Sequence, residues 1–136
     1  MYLWTKDLSV GIDELDLQHQ KFIDRINSFE QFSRVGKAQY KVGEMLDFLM
    51  EYAKKHFLDE EQYMAKHSYP DLEAHAREHV YFVNRLVEFR VDFEEQGGTP
   101  EMASDIAGFT GKWLFNHIIT QDQKYKRFVK QVGRQT

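Results

Sequence analysis

Apolar residues recur at helical spacing through four successive stretches of the chain. The first carries Phe22, Ile23, Ile26 and Phe29; the second Val42, Met45, Leu46, Leu49, Tyr52 and Ala53. The third carries Leu72, Ala76, Phe82, Val83, Leu86, Phe89 and Phe93, and the fourth Met102, Ile106, Phe109 and Trp113. All follow the i, i+3, i+4, i+7 pattern of a one-sided helix, and none alternates with the period of two that a half-buried strand needs. The breaks fall at Val35-Gly36-Lys37, Ser68-Tyr69-Pro70 and Gly97-Gly98-Thr99-Pro100, where glycine and proline end one helix and open the next. The pattern predicts helices over about 13–35, 38–66, 70–96 and 100–120. An irregular arm over about 1–12 and a short tail helix over about 123–132 flank them. Short turns between amphipathic helices favour an all-α, antiparallel up-down-up-down four-helix bundle within a single domain.

The apolar stripes also carry histidines. His19 precedes Phe22 and Ile23, His56 follows Tyr52 and Ala53, His75 and His79 continue from Leu72, and His117 follows Trp113 by one turn. Glu60 stands four residues after His56 on the same face. Buried imidazoles need partners for their nitrogens, and a buried carboxylate is costly unless it is paired. The stripes offer few Lys or Arg for that pairing, whereas a metal would satisfy the whole group at once. Topology brings the group together. His19, His75 and His79 begin their helices, His56 and Glu60 come late in theirs, and His117 ends the fourth, so an antiparallel bundle places all of them at one end. His56 and His79 both lie roughly 16–18 Å from the turn between them, at ~1.5 Å per residue. Asp122 fits less well. An ideal helix turns it about 140° from His117, which makes it either an exposed carboxylate or a residue that reaches the metal from another side. His67 falls in a turn outside this layer and is read as exposed.

Composition narrows the chemistry. The 136 residues contain no cysteine, which excludes thiolate ligands and disulfides and fits a reducing, cytoplasmic setting. A net charge of −4 argues against nucleic acid as a partner. No apolar run is long enough to span a membrane, and the opening residues do not resemble a secretory signal. His75-Ala76-Arg77-Glu78-His79 lacks the second-position Glu of a zinc-protease helix. No histidine here follows a Glu at the ferritin-like spacing. Five histidines and a carboxylate exceed a four-coordinate zinc site, so two metals are the economical answer.

Four motifs, in order, resemble the hemerythrins, and the bacterial single-domain branch most of all. They are Trp4…Gly11-Ile12…Asp16-x-Gln18-His19, His56-Phe57-x-x-Glu60-Glu61, His75-x-x-x-His79, and Trp113-Leu114-x-Asn116-His117-Ile118-x-x-x-Asp122. The resemblance spans essentially the whole chain. It implies two non-haem iron ions, oxo- or hydroxo-bridged, that bind O2 reversibly. His75, His79 and His117 would hold one iron, His19 and His56 the other, and Glu60 and Asp122 would bridge them. With a bridging hydroxide, that set fills all but one position of two octahedral irons and leaves the opening on the two-histidine iron. Apolar residues should wall the opening, because water and protons promote loss of bound oxygen as peroxide; the candidates by position are Phe22, Phe57, Trp113, Ile118 and Ile119. The reading is an O2 carrier, store or local supplier, not an enzyme. The alternatives are oxygen or redox sensing through a separate protein partner, and peroxide or nitric-oxide chemistry at the same centre.

Overall fold

The computed structural model describes residues 2–135, with side chains through residue 132; Met1 and Thr136, the ends of the expected arm and tail, lie outside the described residues. Five α-helices account for most of the described residues: α1 Asp13–Arg34, α2 Val42–Lys66, α3 Leu72–Gln96, α4 Pro100–His117 and α5 Gln123–Gln135. No strand occurs among the described residues. Helix α2 packs along α3 and α1 along α4, while α1–α2 and α3–α4 contacts close the square.

The helix ends follow local chemistry. Thr99 accepts the Met102 N–H at 3.1 Å, and Pro100 takes the first position of α4, where no N–H is required. Gly97 ends α3 with φ 73°, a conformation that penalises any Cβ, while its N–H closes on Phe93 O at 2.8 Å. Helix α3 opens at Leu72 rather than at Pro70, because Pro70 lies in the turn that carries Tyr69 inward. Ala38–Lys41 form a 3₁₀ turn ahead of α2, so the second helix enters its α geometry one turn late. Asp16 ties the arm to α1 by accepting from Val10 N at 2.8 Å and Ser9 Oγ at 2.5 Å.

The core has two parts. The larger contains Phe22, Ile26, Leu49, Phe82, Leu86 and Ile106. The smaller caps one end of the bundle with Met64, Tyr69 and Tyr125, packed by Ile12, Leu72 and Phe128. Along α2 the residues 56–60 fall between Ala53 of the first part and Met64 of the second, so the polar layer is sealed on both sides. His67 is half-buried rather than exposed, and its Nδ1 lies 2.6 Å from the Tyr125 hydroxyl, which fastens the tail to the α2–α3 turn.

At its start the arm is seated by a missing side chain. A Cβ on Gly111 would stand 2.4 Å from the Tyr2 ring, which stacks on Phe115 at 4.6 Å, and Tyr2 exchanges two hydrogen bonds with Asn27. Gly111→Ala should therefore release the arm. Alanine also favours the helix by about 1 kcal/mol, which offsets the lost contact. The expected outcome is an almost unchanged melting temperature with faster amide exchange over residues 2–10; unchanged exchange there would show that Gly111 does not seat the arm.

Candidate metal centre

Four helices and one irregular turn deliver seven polar side chains to the sealed layer. His19 comes from α1, His56 and Glu60 from α2, His75 and His79 from α3, and His117 from the end of α4; none is more than 2% exposed. Asp122 is 1% exposed as well, although an ideal helix would carry it away. Residues Ile118–Asp122 form a π-helical turn. Its wider winding bonds residues five apart, so the five steps from His117 to Asp122 come close to a full circle and both side chains face inward.

The nitrogens and oxygens sort into two groups. In the first, His117 Nε2 lies 3.0 Å from His75 Nε2 and 3.2 Å from His79 Nε2. Glu60 Oε1 lies 2.5, 3.1 and 3.6 Å from the Nε2 atoms of His75, His79 and His117, and Asp122 Oδ1 lies 3.2 and 3.4 Å from those of His75 and His117. In the second, Glu60 Oε2 lies 3.4 Å from His56 Nε2 and 3.7 Å from His19 Nε2, and Asp122 Oδ2 lies 3.3 Å from His19 Nε2. Glu60 therefore turns one oxygen toward three histidines and the other toward two, while Asp122 turns one oxygen toward His75 and His117 and the other toward His19. Glu60, His75, His79 and His117 form one constellation able to hold a metal ion, and His19, His56 and Glu60 form another.

These donors fit cations better than they fit one another. His19 Nε2, His56 Nε2, Glu60 Oε2 and both Asp122 oxygens are buried without a hydrogen-bond partner. Burial opposes charge on Glu60, but the imidazoles of His117, His56, His75 and His79 around it outweigh that and hold its pKa well below the usual carboxylate value. Asp122 is raised by burial and by Glu60, yet His117 and His19 leave it depressed. On His75, burial is overcome by the nearby carboxylates of Asp122 and Glu60, which raise its pKa to about 9. Burial likewise disfavours charge on His117, yet the carboxylates of Asp122, Glu60 and Glu78 around it push it well above its ordinary value. His56 goes the other way, lowered by burial and by His19. Left to itself the cluster balances two buried carboxylates by binding protons. Divalent cations coordinated through Nε2 would do the same with neutral rings.

A family model described as the hemerythrin HHE cation binding domain matches residues 10–129. This chain belongs to that family. It is 35% identical over 130 residues to a bacteriohemerythrin of Stenotrophomonas maltophilia, covering 96% of this chain and 82% of that protein. It is 30% identical over 125 residues to a myohemerythrin of Theromyzon tessulatum, covering 92% and 91%. A crystal structure of wild-type hemerythrin superposes with a TM-score of 0.78 at 28% identity, over 93% of this chain and 96% of that one.

Around this hemerythrin-family centre, the apolar candidates divide. Phe57 stacks on His79 with centroids 3.9 Å apart and planes 2° from parallel, and Trp113 stacks on His117 at 4.5 Å and 11°. Ile118 and Phe22 are fully buried. Ile119, expected beside the opening, is 56% exposed. The π turn that carries Asp122 inward presents Ile118 to the interior and its neighbour to solvent. Ile119→Leu should accordingly leave the oxidation rate of the iron-loaded protein in air unchanged; a change of several-fold would return Ile119 to the centre.

Three further residues, to which helical spacing assigns no role, stand behind the histidines. Gln18 Oε1 accepts from His56 Nδ1 at 2.6 Å, Glu61 Oε2 from His79 Nδ1 at 2.7 Å, and Glu78 Oε1 from His117 Nδ1 at 3.1 Å. Each stands directly beside a candidate donor in sequence, at positions 18, 61 and 78 against 19, 60 and 79. That adjacency is the available signal: one residue along a helix turns a side chain by about 100°, from the bundle axis toward the next helix.

Proposed function

We propose that this protein binds O2 reversibly at a di-iron centre, as a carrier, store or local supplier rather than an enzyme. The observation that carries the proposal is the division of both buried carboxylates between a three-histidine and a two-histidine group. His75, His79 and His117 would hold one iron, His19 and His56 the other, and Glu60 and Asp122 would span the two. When bound, the two irons supply the electrons that O2 takes up on binding and returns on release.

The chain's own residues supply the rest. Gln18, Glu61 and Glu78 hold protons on Nδ1 and leave Nε2 free to coordinate. Phe22, Phe57, Trp113 and Ile118 exclude water from the layer, which guards against loss of the ligand as peroxide. Burial of the donors suits a diatomic ligand better than a larger substrate. No helix is long and apolar enough to cross a membrane among the described residues. That fits the cytoplasmic placement we propose.

The test is an optical titration of the anaerobically reduced, iron-loaded protein with O2, followed by its removal. A visible charge-transfer band that appears with O2 and disappears under argon is the expected result. One-way conversion to a diferric spectrum would overturn the carrier reading and favour redox sensing or peroxide chemistry.

A further inference from the structure

The three acceptors behind the histidines are not chemically alike. Behind His56, in the two-histidine group, stands the neutral amide of Gln18. Asp59 takes the other end of that amide at 2.8 Å, but Lys55 lies 3.1 Å from the same carboxylate oxygen and offsets its charge. Behind His79 and His117, in the three-histidine group, stand the carboxylates of Glu61 and Glu78. Each is about one-third exposed, and its side-chain ion pair is with its histidine. The Nδ1 atom of His75 has no partner, and neither has that of His19. Both uncompensated negative charges thus fall on one side of the centre. The same two rings, His79 and His117, are also the ones clamped face-on by Phe57 and Trp113.

A neutral imidazole that coordinates through Nε2 carries its proton on Nδ1. A carboxylate that accepts this proton in a charge-assisted hydrogen bond makes Nε2 a stronger donor. Its negative charge also favours the more highly charged state of a metal across the ring. We propose that Glu61 and Glu78 are positioning residues that bias oxidation toward one half of the centre: the three-histidine iron gives up its electron first. The inference rests on the di-iron reading above. The step is one-electron oxidation of Fe(II) to Fe(III), with the electron passing to O2, or to an electrode in the test; the Nδ1 proton stays in its hydrogen bond.

Glu61→Gln and Glu78→Gln keep an oxygen to accept the Nδ1 proton and delete only the charge. Spectroelectrochemical titration of the two-iron protein should show one of its two one-electron steps displaced toward reduced iron in each variant. The expected size is at least tenfold in the ratio of oxidised to reduced iron at fixed potential, about 59 mV, and the double variant should shift further. Gln18→Glu should displace the other step in the opposite direction. Steps that stay in place in both glutamine variants, or that move together by equal amounts, would overturn the proposal. Zinc-loaded protein supplies a second readout. Downfield Nδ1–H resonances of His79 and His117 should survive in the glutamine variants and vanish in Glu61→Leu and Glu78→Leu; their presence in the leucine variants would overturn the hydrogen-bond assignment. O2 is absent from both measurements. Failure of reversible O2 binding with displaced steps would count against the carrier reading alone, and unmoved steps with reversible O2 binding against this inference alone.

Discussion

Glu60→Ala should abolish metal uptake in both halves of the centre, whereas His56→Ala should empty only one. Glu60 is the residue shared by the two constellations, with Oε1 toward His75, His79 and His117 and Oε2 toward His19 and His56. Its removal takes a ligand atom from each group and a full negative charge from a layer where, among the described residues, no Lys or Arg pairs with Glu60 or Asp122. The measurement is metal content after anaerobic loading, read beside the thermal midpoint. A metal present at a thousand times its dissociation constant stabilises a fold by about 4 kcal/mol. The wild type should therefore melt markedly higher when loaded, and Glu60→Ala should melt at one temperature with or without iron. Retention of two irons at wild-type affinity would remove Glu60 from the ligand set. Circular dichroism of the metal-free variant separates loss of ligation from loss of fold.

Metal-free and metal-loaded protein should respond to pH with opposite slopes. In the metal-free protein His75 titrates near 9 and His117 well above its ordinary value, because Glu60 and Asp122 hold their protons on. A group whose pKa is raised on folding contributes stability below its unfolded pKa, near 6.5, and loses it as pH rises through the folded value. His56, lowered by burial, works in the opposite direction but is one group against several. The carboxylates, held low, withdraw their contribution only in acid. Metal-free protein should thus lose on the order of a few kcal/mol between about pH 6.5 and 9. Loaded protein should gain stability from about pH 5 to 8, since protons compete with the metal for the same nitrogens. Urea midpoints of metal-free and zinc-loaded protein across this range test the pair of slopes; parallel curves would show that the histidines do not exchange protons for metal.

How much was legible beforehand differs from residue to residue. His56, Glu60, His75 and His79 could be placed together from spacing, because helical period and antiparallel topology are both written in the apolar stripes. Gln18, Glu61 and Glu78 sit beside donors in sequence, but any exposed helix face has polar residues at such positions, and adjacency alone does not say which of them reaches a neighbouring ring. His67 reads as a turn residue because its partner, Tyr125, lies 58 positions away.

Residue order alone dictates the four helical stripes, their breaks at glycine and proline, and the layer in which five histidines and a glutamate meet. These follow from periodicity and chain direction, which need no knowledge of side-chain orientation. The remainder is set by how the helices pack. Packing wound Ile118–Asp122 into a π turn, which brings Asp122 inward and sends Ile119 out. It also divided each carboxylate between the two histidine groups, and set charged acceptors behind one group and an amide behind the other. A local pattern is blind to these because a π turn and an α turn differ by one residue's winding. Which of two oxygens faces which nitrogen is fixed only when all four helices are packed.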